Sequence, residues 1–183
     1  MIWLLARLLL GGVLVALACA IAGAYGMAHN QISYLAAPTY FHDLKFPQFG
    51  IDLGDRNAWG AAIVGFRASW WMGGILGITL LLLGFRLKSH KIFASAFIRS
   101  ALLIVIITLA LGVLALIAAQ QFLSEAAIPS WLPTHGSDAP LQFAQVAIMH
   151  ETSYLGAGIS LLIAIFTVQR RAYKRDQRRG FPF

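Results

Sequence analysis

The sequence predicts an all-α membrane protein, an antiparallel four-helix transmembrane bundle with a folded, aromatic-rich first outer loop. Three observations predict it. Of 183 residues, 59% are apolar and only 11% charged, against about 45–50% and about 25% in a water-soluble domain. Four proline-free apolar runs each reach the length of about 20 residues that crosses a hydrocarbon core of about 30 Å. The basic residues fall on alternate connections between those runs. Because roughly 100–200 residues make one compact unit, the chain is read as a single integral membrane domain, 1–183. A large multidomain enzyme is excluded. So is nucleic acid as the partner behind the isoelectric point near 10.1.

The runs cover about 3–27, 59–85, 97–123 and 141–168. Backbone polar groups in lipid must be satisfied within the segment, so each run is a helix. The first exceeds the 7–15 apolar residues of a signal peptide core and reads as an uncleaved anchor. It carries Gly12, Ala16, Ala20 and Ala24 at four-residue spacing; the second carries Gly73 and Gly77, the fourth Gly156 and Ser160. Ridges of small residues let helix backbones approach closely where lipid offers no hydrophobic drive. The third run is bulky all round, through Leu102, Ile104, Val105, Ile106, Ile107 and Leu109, and is expected to face lipid or a partner protein. The fourth opens with Ser137 or Asp138 as N-cap and Pro140 in the first turn. Cys19, the single cysteine, reads as a small apolar packing residue, which excludes an internal disulfide.

Charge sets the orientation. Arg86, Lys88 and Lys91 lie between the second and third runs, with Arg99 at the start of the third, and six more basic residues, Arg170 to Arg179, follow the fourth. The connection 124–140 has neither lysine nor arginine, and in the connection 28–58 Lys45 and Arg56 are offset by Asp43, Asp52 and Asp55. The positive-inside rule places both termini in the cytoplasm of a bacterial inner membrane, with loops 28–58 and 124–140 outside. Arg7 agrees with that orientation. The net charge of +7 is then largely topological, and the basic tail 169–183 lies on the anionic inner leaflet.

A polar layer emerges when depth is counted at about 1.5 Å per residue. Arg67 and Glu151 each stand 19 residues from a basic anchor, Arg86 and Arg170, or about 28 Å up. Gln120 and His29 come out at about 31–33 Å, and His150 adjoins Glu151. Three readings compete. The residues meet lipid headgroups, with Arg67 snorkelling outward. Or Arg67 and Glu151 form a buried ion pair that locks the second and fourth helices. Or the layer is a site for a metal, haem or proton, with His29 and His150 as the eligible ligands from facing helices. Trp70 or Trp71, three and four residues after Arg67, is placed to stack on its guanidinium. Without His-x-x-x-His, Glu-x-x-His or a second cysteine, the metal signal is weak. His42, His90 and His135 read as surface residues.

The first outer loop is too long for a simple connector. Its aromatics, Tyr40, Phe41, Phe46 and Phe49, are expected to pack down as a cap over the bundle mouth, with Pro38 and Pro47 breaking any long helix. The string His29-x-Gln-Ile-Ser-Tyr34, then Pro38-x-Tyr40-Phe41 and Lys45-Phe46-x-Gln48-Phe49, resembles an uncharacterised family of small bacterial four-span membrane proteins. The segment Met149-His150-Glu151-Thr-Ser153-Tyr154-Leu-Gly156 looks like that family's last-span motif, in which Asn follows the His where this chain has Glu151. The resemblance covers most of the chain and implies that His29, Ser33, Tyr34, Tyr40, Lys45 and His150 belong to one outer-face feature. It implies no activity.

No nucleophile–base pair, phosphate loop or metal cluster stands out in the sequence. The expected function is a non-catalytic inner-membrane protein, an accessory subunit or assembly factor of a larger membrane complex. The bilayer and other membrane proteins are its partners, and bound lipid is the expected companion molecule. The alternatives are a haem- or metal-binding redox protein using His29 and His150, and a small transporter or sensor built on Arg67, Glu151 and His150. The candidate outer cluster is His29, Ser33, Tyr34, Tyr40, Lys45, Arg67, Gln120, His150, Glu151 and Tyr154.

Overall fold

A computed structural model describes residues 1–87, 89–134 and 136–177. The expectations for Lys88, His135, Arg178, Arg179 and 180–183 lie outside the described residues, as do those for the side chains of Arg171, Lys174 and Arg175. The described chain is helical, and four helices are long and apolar enough to cross a membrane. They are α1 (Ile2–Ala36), α2 (Ala58–Gly84), α3 (His90–Phe122) and α4 (Pro140–Gln177).

Three boundaries differ from the sequence reading, and one is the end of α4, which continues nine residues past position 168 to Gln177, into the stretch expected to be the basic tail. α1 runs nine residues past position 27, so His29, Ser33 and Tyr34 sit on a helix and not in a loop. Between Ala28 and Ala37 there is no glycine or proline to stop it. Pro38 does stop it, by forcing Ala37 out of the helical region to φ −150°, ψ 89°. α3 starts at His90 instead of 97, which puts Lys91 on the helix.

α1 packs chiefly against α2, and α3 against α4. The first pair meets at glycines. A Cβ on Gly26 would collide with the Gly65 carbonyl, one on Gly65 with the Gly26 carbonyl, and one on Gly73 with the Ala18 carbonyl. Gly73 and Gly77 thus serve as expected, but their partners on α1 are Ala18 and Val15, and Gly26 meets Gly65. Gly12, Ala16, Ala20 and Ala24 are all exposed. α1 has small residues on more than one face, and only the face that meets the α2 glycines is used.

α3 is not bulky all round. It buries one stripe, Phe93, Phe97, Ser100, Ile104, Thr108, Gly112 and Leu116, in which Gly112 leaves room for Ser153 of α4. Gly156 rests against Leu111 and Thr108, and Ser160, buried, donates to the Gly156 carbonyl at 2.6 Å.

Residues 37–57 fold into a cap of short turns. Pro38–Tyr40 leads into a π-turn, Phe41–Lys45, and a last turn, Phe46–Phe49, which Gly50 closes in the left-handed region at φ 61°. Asn57 then caps α2, accepting from Trp59 N at 2.8 Å and Gly60 N at 3.3 Å. Tyr40, Phe41 and Phe46 are buried, with Phe143, Val146 and Met149 of α4 and Ala61 and Val64 of α2; Phe49 packs at their edge. The expected cap is therefore present. At the start of α4 the Ser137 hydroxyl accepts from Ala139 N at 3.4 Å.

The opposite end holds the second core cluster, including Leu14, Leu80, Leu87, Phe93 and Phe97, and one unexpected residue. Arg7 is 0% exposed. Its guanidinium donates to the carbonyls of Gly84, Leu87 and Ser89 and lies 3.8 Å from the centre of the Phe93 ring. The last carbonyls of α2 have no partner within their own helix, and a cation is the favourable group at that end of the dipole. Arg7 is a buried clasp between α1 and the turn from α2 to α3.

Candidate functional site

Under the cap, α1 and α4 are joined by two histidines and two serines in a reciprocal arrangement. His29 Nε2 lies 3.0 Å from Ser153 Oγ, and His150 Nε2 lies 3.2 Å from Ser33 Oγ. On each helix the histidine and the serine share one face, because residues three and four apart lie one above the other. The two imidazoles meet edge to face, their centres 4.6 Å apart. All four residues are at least 93% buried, with His150 the most exposed at 7%.

The hydrogens can be placed in part. Ser33 Oγ has its single proton directed at the His29 carbonyl, 3.2 Å, or the Asn30 carbonyl, 3.4 Å, so it accepts from His150 Nε2–H. Tyr40 stacks on His150 from the cap, at 4.9 Å between ring centres. Asn30 donates to the Ala61 carbonyl at 3.0 Å and so ties the same layer to α2.

Beside the histidines lies a cavity of about 270 Å³ walled by all four helices and the cap. Lys45, Gln48 and Arg67 stand at its cap end; Tyr25, His29, His150, Ser153 and Tyr154 form a middle band; Met72, Leu76, Ile104, Val105 and Ala157 are among its apolar walls. Two hydroxyls on its walls, Tyr25 and Thr108, are buried without a hydrogen-bond partner. Buried polar atoms are nearly always paired; of the five such side-chain atoms without a partner among the described residues, these two are the ones on the cavity wall.

Lys45 Nζ donates to Gln48 Oε1 at 3.2 Å and lies 5.5 Å from the centre of the Tyr40 ring. Burial pushes its ammonium below the ordinary lysine value, and the nearby Glu151 carboxylate opposes that shift. Burial pushes the Tyr40 phenol up, so it stays protonated.

The expected cluster is thus brought together in part. His29, Ser33, Tyr40 and His150 form the contact layer, while Lys45, Arg67 and Tyr154 line the cavity beside it. Tyr34 belongs to the cap, edge-on to Phe41 at 5.4 Å. Gln120 is exposed at the end of α3 and lines nothing here. The Arg67–Glu151 ion pair is not formed: both side chains are exposed, and Arg67 donates instead to the Phe49 carbonyl at 3.2 Å. Among the described residues Arg67 does not lie over the ring of Trp70 or Trp71, contrary to the expected stacking. His42 is exposed as expected, whereas His90 is half-buried and stacks on Trp3 at 5.5 Å.

The layer joins α1 to α4 through two histidine–serine contacts. Among the described residues no carboxylate hydrogen-bonds either imidazole, and none forms the third member that would orient a base beside a serine nucleophile. The imidazoles touch directly, which leaves no room between them for a haem plane. Among the described residues no three His, Cys, Asp or Glu side chains are grouped to hold a metal ion. Comparison of the chain with protein-family models, curated proteins and solved structures gives no match.

Proposed function

We propose that the chain is an antiparallel four-helix bundle of the bacterial inner membrane that holds one membrane-soluble amphiphile in its outer half. Both termini lie in the cytoplasm, and the protein serves a larger membrane complex as a non-catalytic accessory subunit or assembly factor. The cavity carries this reading. Counting from Arg86 and Arg170, its apolar walls at Leu76 and Ala157 stand about 15–20 Å up, near the middle of a hydrocarbon core of about 30 Å. Its polar end, at Lys45 and Arg67, reaches the outer interface. A pocket with a few convergent polar groups above an apolar floor is the usual form of a small-molecule site. A chamber graded from charged to apolar along the membrane normal suits a molecule graded the same way.

The test is to purify the full chain in mild detergent, extract it with organic solvent and quantify what leaves with it. About one amphiphile per chain is expected, at a ratio that survives detergent exchange. A ratio that falls toward zero with washing would contradict the proposal.

A further inference from the structure

We infer that the occupant of the cavity is an acyl lipid with an anionic, phosphate-bearing head, its phosphate held by Lys45 and Arg67 and its ester carbonyls facing the hydroxyls of Tyr25 and Thr108. This rests on the reading of the cavity as an amphiphile site given above.

The residues around the cavity include Lys45 and Arg67 and no aspartate or glutamate. Glu151, one residue from His150, is exposed and outside the lining. Arg67 has five N–H donors and spends one on the Phe49 carbonyl. A guanidinium fork of this kind matches two phosphate oxygens at once.

Tyr25 OH and Thr108 Oγ1 are buried, close no hydrogen bond within the protein and line this same cavity, with Ser153 as the polar neighbour of Tyr25. Each offers an O–H to an acceptor. Ester carbonyls are acceptors only, and in an acyl lipid they lie between the head and the chains. At about 270 Å³ the chamber is at the small end of ligand pockets, so it takes the glycerol ester region and the start of a chain. The rest of the lipid continues into the bilayer.

Other occupants leave something unmatched. An uncharged quinone offers carbonyls to Tyr25 and Thr108 but nothing to the two cations. A zwitterionic head brings an ammonium toward them. Specificity of this kind comes from the mismatch as much as from the match.

The experiment is native mass spectrometry of the full chain, supplied in turn with phosphatidylglycerol, phosphatidylcholine and a quinone of matched chain length. Wild type is expected to retain one phosphatidylglycerol about tenfold better than either competitor, and that factor is about 1.4 kcal/mol. Lys45→Gln and Arg67→Gln, both at the cap end, are each expected to bring phosphatidylglycerol down toward the phosphatidylcholine level. Ala157→Trp, which fills the chamber, is expected to abolish retention of all three. Ala68→Leu serves the same purpose should the tryptophan prevent folding.

Equal retention of the three molecules by wild type, lost on filling the chamber, would overturn the anionic head and leave the amphiphile site standing. Retention that filling does not change would overturn both. Displacement of the lipid by inorganic phosphate at equal concentration would show that the site binds the free anion and not a lipid, which also overturns the inference.

Discussion

His29 and Ser153, 3.0 Å apart on different helices, carry the most direct prediction at the scale of single residues. Ser153→Ala leaves a buried imidazole nitrogen without its partner, a loss of about 1–3 kcal/mol. Unfolding of the variant in mixed micelles should register that loss, and an unchanged midpoint would contradict the pairing. Lys45 gives a second prediction, in pH. Its folded ammonium is held below the ordinary lysine value by burial, so the charged form costs stability at neutral pH. That cost is relieved as pH rises from the lowered value toward the ordinary 10.5. Glu151→Gln removes the carboxylate that opposes the shift, so the neutral amine becomes more populated. Amine-directed labelling of Lys45 at a fixed, mildly alkaline pH should then run faster in the variant than in wild type. A slower rate would contradict the coupling.

The same residues indicate how far the sequence can be read. Depth along a helix is a matter of counting, so spacing alone assigns His29, Arg67 and His150 to one layer. Direction around the helix is not. Glu151 shares the depth of His150 but is rotated by about 100° at 3.6 residues per turn, enough to turn it out of the layer. Gln120, at a matching depth, is likewise exposed. Tyr25 and Thr108 carry no spacing signal, since a single hydroxyl inside an apolar run marks neither a motif nor a face. Ser153 does carry one, because His150-x-x-Ser153 and His29-x-x-x-Ser33 both put a hydroxyl on the histidine's own helix face.

At the scale of elements, glycine geometry separates α1's two small-residue faces. Gly12 has open space where a Cβ would point, while Gly65 has the Gly26 carbonyl there. Gly12→Leu should leave stability within about 0.5 kcal/mol, as surface changes do. Gly65→Leu should cost at least the roughly 1–3 kcal/mol typical of overpacking, because backbone cannot swing aside as a side chain can. Parallel unfolding curves for the two variants decide it; equal effects would mean that α1 and α2 do not cross at Gly26 and Gly65. The spans are legible because apolar length is a property of composition. Their ends are not. α1 passes through a polar stretch without breaking, and only Pro38 stops it. Arg7 shows a similar limit: a basic residue near a terminus satisfies a charge rule, and nothing in that rule reveals that it is buried against the carbonyls ending α2.

For the whole molecule, the proposed antiparallel arrangement makes a topological prediction. A reporter active only in the cytoplasm should give signal when fused at either terminus, and silence at one end would refute the both-in orientation. The more telling feature is how the two ends of the molecule differ. At the Arg7 end a charged side chain is fully enclosed by carbonyls and an aromatic ring, and the helices close around it. At the cap end the helices are joined by histidines, serines and an aromatic lid, and beside that join they leave space. One end is a clasp and the other a chamber.

Native mass spectra of wild type and Ala157→Trp, both purified from the same membranes with no added ligand, read out whether the chamber is occupied. The wild-type chain is expected to carry one additional small-molecule mass and the filled variant to run bare, with both eluting as the same folded species. Identical spectra, whether both loaded or both bare, would contradict it.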